Sequence, residues 1–250
     1  MITTIILSGR NYKIDLAAPI SIGITVKPGK NNVNAFYAPN PHAEPVVAGS
    51  FIGSTEEGGP VNFFNLSINP HGNGTHTECV GHIAKEKYFV TECFDKHFFL
   101  CELISIKPMK ETNGDMVIYR EQLKTHLKHQ NTEAVVIRTL PNDKLKTVAK
   151  YSGHNPAYLH HEATAFLAEN NVQHLLLDLP SVDREEDEGK LLAHKAFWHY
   201  PEKPRTKATI TELIYVPEEV QDGLYFINIQ PAPIEMDAAT SNPVLYKILA

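Results

Sequence analysis

The run His71-Gly72-Asn73-Gly74-Thr75-His76-Thr77-Glu78-Cys79-Val80-Gly81-His82 sets three imidazoles and one carboxylate among small residues. Neutral imidazole nitrogen and carboxylate oxygen are the donors that suit zinc, manganese or iron. A mixed set of this kind leaves coordination positions open for water or substrate. If residues 75–77 are extended, side chains alternate between faces, so His76 and Glu78 point the same way, and His82 keeps that parity if the strand continues. His71 does not share it and needs a bulge or a bend, which Gly72 and Gly74 can supply. The competing reading is a polar Gly/Asn/Thr-rich surface loop. Three histidines in one short run, with a same-face carboxylate, count against it. Cys79 falls on the opposite face from His76 and Glu78, which fits a small buried hydrophobe better than a ligand.

The elements that must carry these groups are legible in outline. Residues 3–7, 12–16 and 20–26 alternate apolar and polar and are expected to be strands. Residues 31–45 hold Pro39, Pro41 and Pro45 and are expected to be a loop at the entrance or lid. Residues 98–106 form an expected strand, 120–129 a short helix, and 134–139 (Ala-Val-Val-Ile-Arg-Thr) a strand buried on both faces. A helix capped by Asn155, with Pro156 in its first turn, carries the stripe Leu159, Ala163, Phe166 and Leu167. It leads into a buried strand over 172–179. A second amphipathic helix is expected over 186–198, its exposed first turn supplied by the acidic run from Asp183 to Glu188. Strands over 210–216 and 224–229 follow. A β-rich first third followed by alternating strands and helices favours a mixed α/β fold without an internal repeat or domain break.

Composition narrows the function. The chain has 250 residues, 42% hydrophobic and 21% charged, enough to bury a full core. Its net charge of −6 and the lack of a clustered Lys/Arg face argue against a nucleic-acid partner. Lys144, Lys146 and Lys150 are too few for a binding patch and are expected to be solvated. No apolar run nears the ~18 residues of a membrane span, and the 5–7 patch is too short for a signal peptide. No membrane partner and a cytoplasmic location are therefore expected. The sequons Asn65-Leu66-Ser67 and Asn73-Gly74-Thr75 matter only in a secreted chain. Cys79, Cys93 and Cys101 are odd in number and form no CxxC pair, which disfavours a disulfide framework or thiolate zinc site. There is no Gly-x-Ser-x-Gly elbow, dinucleotide fingerprint or P-loop.

The sequence resembles the metal-dependent cyclase family that includes bacterial kynurenine formamidase and isatin hydrolase. That family's signature is His-x-Gly-Thr-His-x-Asp-x-Pro-x-His, and Gly74-Thr75-His76, Glu78 and His82 match it at the right intervals. Asp15-Leu16 with Pro19-Ile20 is like its opening Asp-Leu-Ser-x-Pro-Ile, and Val136-Ile137-Arg138-Thr139 resembles its Leu-Ile-Arg-Thr strand. Asp178, Ser181 and Asp183 fit Gly-x-Asp-x-x-Ser-x-Asp, Ala193-His194-Lys195 is similar to Ala-His-Arg, and Thr211-Glu212-Leu213 is similar to a late Glu-Asn-Leu. The resemblance implies a swivelling β/β/α-type single domain over residues 1–250. It also implies that His76, Glu78, His82, His194 and Glu212 converge on one or two divalent ions, Zn2+ or Mn2+. His71 is a further candidate ligand. A homodimer or homotetramer acting on a small-molecule substrate is implied as well.

The sequence departs from the pattern in several places. The first motif histidine falls on Gly72, with His71 one place early. Glu78 stands for Asp, one methylene longer, so its backbone must retreat if the carboxylate is to remain a ligand. Val80 stands for Pro. The segment between His194 and Glu212 is long and carries Trp198, His199, Tyr200, Pro201 and Pro204, expected to border the pocket. The chemistry implied is metal-assisted hydrolysis of an amide, formamide or cyclic amide, with His82 or Glu212 as catalytic proton carrier. The rivals are a metal-dependent lyase or cyclase, and a small-molecule-binding protein whose altered motif has lost catalysis.

Overall fold

The computed structural model describes residues 1–249. Its centre is a large mixed sheet in which Phe98–Ile106, Ala134–Thr139, His174–Leu177 and Thr209–Glu212 lie side by side and parallel. Each parallel step needs a crossover, and a helix supplies one each time: α2 (Arg120–His126), α3 (His161–Glu169) and α4 (Leu192–Trp198). Antiparallel strands flank this block. Gly223–Asn228, Val244–Leu249, Arg10–Asp15 and Ile2–Leu7 extend one side, and His76–Glu78 with Ala238–Thr240 extend the other.

The apolar run of residues 134–137 is continuous because its two faces meet different cores. Val135 and Ile137 pack with Leu123 of α2, Leu167 of α3 and Phe197 and Trp198 of α4. Ala134 and Val136 pack with Leu103, Leu176, Ile214, Ile227 and Leu245 on the reverse. Mixed α/β architecture is thus observed, and no helix among the described residues is long and apolar enough to cross a membrane.

Several local expectations are corrected. The helix expected from Asn155 begins only at His161, because Asn155 has φ 45° and Tyr158–Leu159 pairs as a short strand with Met116–Ile118. The residues from Asp183 to Glu188 are not a helical turn. Leu191 sits at φ 49° and α4 starts after it, with the Asp183 carboxylate accepting from the backbone N–H of Ala193 and His194 (2.7 and 3.1 Å). Of residues 20–26 only Ile20–Ser21 is strand, and α2 ends at His126. Within the proline-rich loop His42–Pro45 pairs with Phe64–Ser67. Lys146 and Lys150 are not free surface charges. Lys146 Nζ donates to the fully buried Asp178 (2.8 Å), and Lys150 Nζ donates to the carbonyls of Lys30 and Asn32.

His174 lies inside the fold. Its ring stacks on Phe94 (5.3 Å between centroids), and its Nδ1 meets Thr209 Oγ1 at 2.8 Å. Burial, with smaller contributions from the charges of Lys96 and Arg205, lowers its pKa from 6.5 to about 3. The unfolded chain binds a proton that the folded chain refuses between those values. Stability conferred by the neutral ring therefore grows as pH rises through this window, by about 1.4 kcal/mol per unit. Urea unfolding of wild type and His174→Gln checks this. Relative to the variant, the wild type loses roughly 1.4 kcal/mol for each pH unit lowered between about 6.5 and about 3. A difference that does not change with pH rejects the neutral-ring assignment.

Candidate metal centre

The strand His76–Glu78 is too short to stand alone and is clamped between Thr209–Glu212 and Ala238–Thr240. Its register puts His76 opposite Glu212 and Thr77 opposite Thr211. The period of two then sorts the chemistry: His76, Glu78 and Glu212 face one side, while the hydroxyls of Thr77 and Thr211 meet at 2.8 Å on the other. Thr75 fixes the entry to the strand, its Oγ1 donating to Leu213 O and accepting from Ile24 N–H. His194 reaches the same side from α4, backed by the Trp198 ring (5.3 Å between centroids).

Glu78 is the hub of the cluster. It is 0% exposed. His194 Nε2 lies 3.1 Å from its Oε1, with His71 Nδ1 at 3.2 Å and His82 Nε2 at 3.8 Å from its Oε2. Burial alone pushes its carboxyl pKa up. The His82 charge and the contacts to His194 and His71 reverse that and hold it well below the usual carboxylate range. Glu212 goes the other way: burial and the Glu78 charge raise its pKa against the opposing pull of His76 and His194. Its Oε1 accepts from Val182 N–H at 3.0 Å, and its Oε2 stands 3.5 Å from His76 Nε2.

The donor set fits a divalent cation. The Gly74 carbonyl can only accept, so His76 Nδ1 donates to it (3.0 Å) and Nε2 carries a lone pair. That lone pair points toward carboxylate oxygens. His76 Nε2 and Glu78 Oε2 are fully buried and lack a hydrogen-bond partner. Acceptors facing acceptors in a dry site cost several kcal/mol unless a cation joins them. Single ligand atoms from His71, His76 and Glu78, and from Glu78, His82 and His194, lie within 4.8 Å of one another.

All six residues singled out in the sequence therefore meet here, by routes the sequence does not show. His71 arrives on a single helical turn, α1 (Pro70–Asn73), capped by Asn69, and needs no strand bulge. Gly72 could not hold a histidine, because its Cβ would fall 2.3 Å from Ala38 Cβ and 2.8 Å from Ala35 O. His82 does not continue the strand but sits in the 3-10 turn Val80–His82, about a third exposed. Trp198 lies behind His194 in the core rather than at a pocket wall. Cys79 packs with Val90, Cys93 and Ala239. Asn73 is buried and donates to Pro39 O, so the second sequon is inaccessible. Two further carboxylates join them: Asp183, which fits the Gly-x-Asp-x-x-Ser-x-Asp pattern without being read as a site residue, and Asp237, which carries no sequence signal. Asp183 contacts His194 Nδ1 at 2.6 Å, and Asp237 contacts His71 Nε2 at 3.0 Å and His82 Nδ1 at 3.4 Å.

Fold and donor set together describe an α/β protein built around a histidine–carboxylate centre. The chain belongs to the Cyclase family, whose model, described as "Putative cyclase", matches residues 14–184. The fold is shared with a solved structure titled a potential metal-dependent hydrolase with cyclase activity, at 16% identity and TM-score 0.66, over 92% of this chain and 98% of that one. A predicted metal-dependent hydrolase from Bacillus stearothermophilus is similar at 16% identity and TM-score 0.62, with the same 92% and 98% coverage. Isatin hydrolase A from Labrenzia aggregata, solved with benzyl benzoate, is similar at 13% identity and TM-score 0.61, over 92% of this chain and 93% of that one. No curated protein matches the chain by sequence.

Cation binding must displace protons. Burial opposes charge on His71 and His194, yet the carboxylates of Asp237 and Glu78 beside His71, and of Asp183 and Glu78 beside His194, outweigh it and raise each pKa to about 10. A ligand nitrogen must lose its proton first, so divalent affinity rises with pH. Calorimetry with zinc in two buffers of different ionisation enthalpy should show net proton release and tighter binding at about pH 8 than at about pH 6. His76→Ala and Glu78→Ala should weaken binding by more than about 100-fold. Unchanged zinc affinity in both variants counts against the centre.

Proposed function

We propose that this chain is a metal-dependent hydrolase of an amide, formamide or cyclic amide, similar in action to an arylformamidase. The observation that carries the reading is the buried convergence of His76 Nε2, Glu78 Oε2 and Glu212 Oε2 on one side of the strand pair. In this reading His71, His76, Glu78, His194 and Glu212 hold the ion or ions, with His82 at the rim. A bound zinc or manganese ion supplies Lewis acidity and lowers the pKa of water toward neutrality. The fold relation to a protein named as an isatin hydrolase supports hydrolysis.

The chain's own residues supply the proton traffic. Hydrolysis of a C–N bond requires a proton to leave the attacking water and a proton to reach the departing nitrogen. His82 is suited to both transfers, being partly exposed while its Nε2 faces Glu78. Glu212 is a second carrier, since burial and the Glu78 charge raise its pKa. The rival idea of a non-catalytic binding protein was prompted by Gly72 in the histidine slot. His71 reaches Glu78 from the neighbouring position, which removes that reason.

Zinc- and manganese-loaded protein assayed on N-formyl aromatic amines and cyclic imides in 18O-labelled water tests the reading. Label in the product acid, with His82→Ala lowering kcat by about 100-fold or more, is the expected result. Turnover without label incorporation identifies a lyase or cyclase instead. A metal-loaded protein inert across a broad amide panel rejects hydrolysis.

A further inference from the structure

Each imidazole of the cluster has an acceptor behind it. His76 has the Gly74 carbonyl and His194 has Asp183. His71 and His82 share a single one. Asp237 Oδ2 lies 3.0 Å from His71 Nε2 and 3.4 Å from His82 Nδ1, and the two rings stack at 4.4 Å between centroids and 29°. One oxygen therefore faces the outer nitrogen of both rings, while the inner nitrogens face Glu78.

The backbone holds Asp237 there deliberately. Its carbonyl accepts from Cys79 N–H at 2.9 Å, directly after Glu78, and the next residue, Ala238, pairs with Glu78 across the sheet. Gly81 permits the approach. A Cβ at Gly81 would fall 3.3 Å from Asp237 Cβ and 2.3 Å from Tyr88 O. Asp237 also lies beyond residues 14–184, the stretch the family model matches.

We infer that Asp237 is a positioning residue for two imidazoles at once, accepting from His71 Nε2–H and His82 Nδ1–H so that the lone pairs of the cation ligand His71 (Nδ1) and of the proton carrier His82 (Nε2) both face Glu78. The inference rests on the reading of the cluster as a divalent metal centre. A carboxylate behind a ligating imidazole fixes its tautomer and ring plane, and losing such a partner typically weakens metal affinity 10- to 100-fold. Here one carboxylate sets two rings whose stacking leaves neither free to turn alone. His82 thereby has its orientation fixed without being buried.

Zinc-loaded wild type, Asp237→Ala and Asp237→Asn separate the possibilities, using competition with a chelator for affinity and long-range 1H–15N correlation for imidazole tautomers. Asp237→Ala should weaken zinc by about 10- to 100-fold and remove the protected Nε2–H signal of His71 and Nδ1–H signal of His82, leaving the His76 and His194 signals in place. Asp237→Asn keeps an acceptor oxygen of the same shape. It should retain both signals and lose less affinity than the alanine variant. Wild-type affinity and unchanged His71 and His82 signals in both variants overturn the inference while leaving the metal centre standing. Loss of one zinc equivalent with the remainder bound as tightly as before also overturns it, by making Asp237 a ligand of its own ion. A wild type that holds no zinc removes the metal centre, and the inference with it. If the alanine variant does not fold, the asparagine variant decides alone: wild-type affinity with either tautomer signal lost, or affinity lowered by about 10-fold or more with both signals retained, rejects the positioning role.

Discussion

One carboxylate organises this molecule. Glu78 lies at 0% exposure on a three-residue strand, with imidazoles of His71, His82 and His194 aimed at it and His76 beside it. A buried carboxylate without compensation costs several kcal/mol, so the surroundings must supply positive charge, hydrogen bonds or a cation. They supply imidazoles whose outer nitrogens are occupied by Gly74, Asp183 and Asp237, which leaves the inner nitrogens for the centre.

Topology explains why the ring closes. The parallel strands end on a common edge, where Asp178 accepts from Thr139 N–H and Oγ1 and so ties two strand ends together. Glu212 ends the last parallel strand, and the antiparallel His76–Glu78 runs back beside it. The Thr77–Thr211 contact lies on the reverse face, so a one-residue slip would exchange hydroxyls for ligands. The helices fill the side from which His194 descends.

Much of this was written locally in the chain. The parity of His76 and Glu78, the doubly buried strand Ala134–Thr139 and the crossover helices follow from periodicities of two and 3.6 residues. His194 and Glu212 needed a family resemblance, because no spacing links them to His76. The helices start later than the sequence pattern at Asn155 and Glu186 implies because competing contacts win. Asn155 takes a left-handed conformation and donates to Asp115 Oδ1 (2.7 Å), and Asp183 turns inward instead of lying on an exposed helical turn. Asp237 was silent because only long-range strand pairing brings Met236-Asp237-Ala238 beside Glu78. Lys146 likewise looked like surface until the fold gave it Asp178.

Asp183 grips His194 Nδ1 with the same carboxylate that closes the start of α4. Fraying of that helix and release of the imidazole are therefore one event. An ion bound to His194 would act as a remote fastener for the first turn of α4 and for the Trp198 ring packed behind it. Occupancy of the centre is in this way written into the mechanical integrity of the adjoining core.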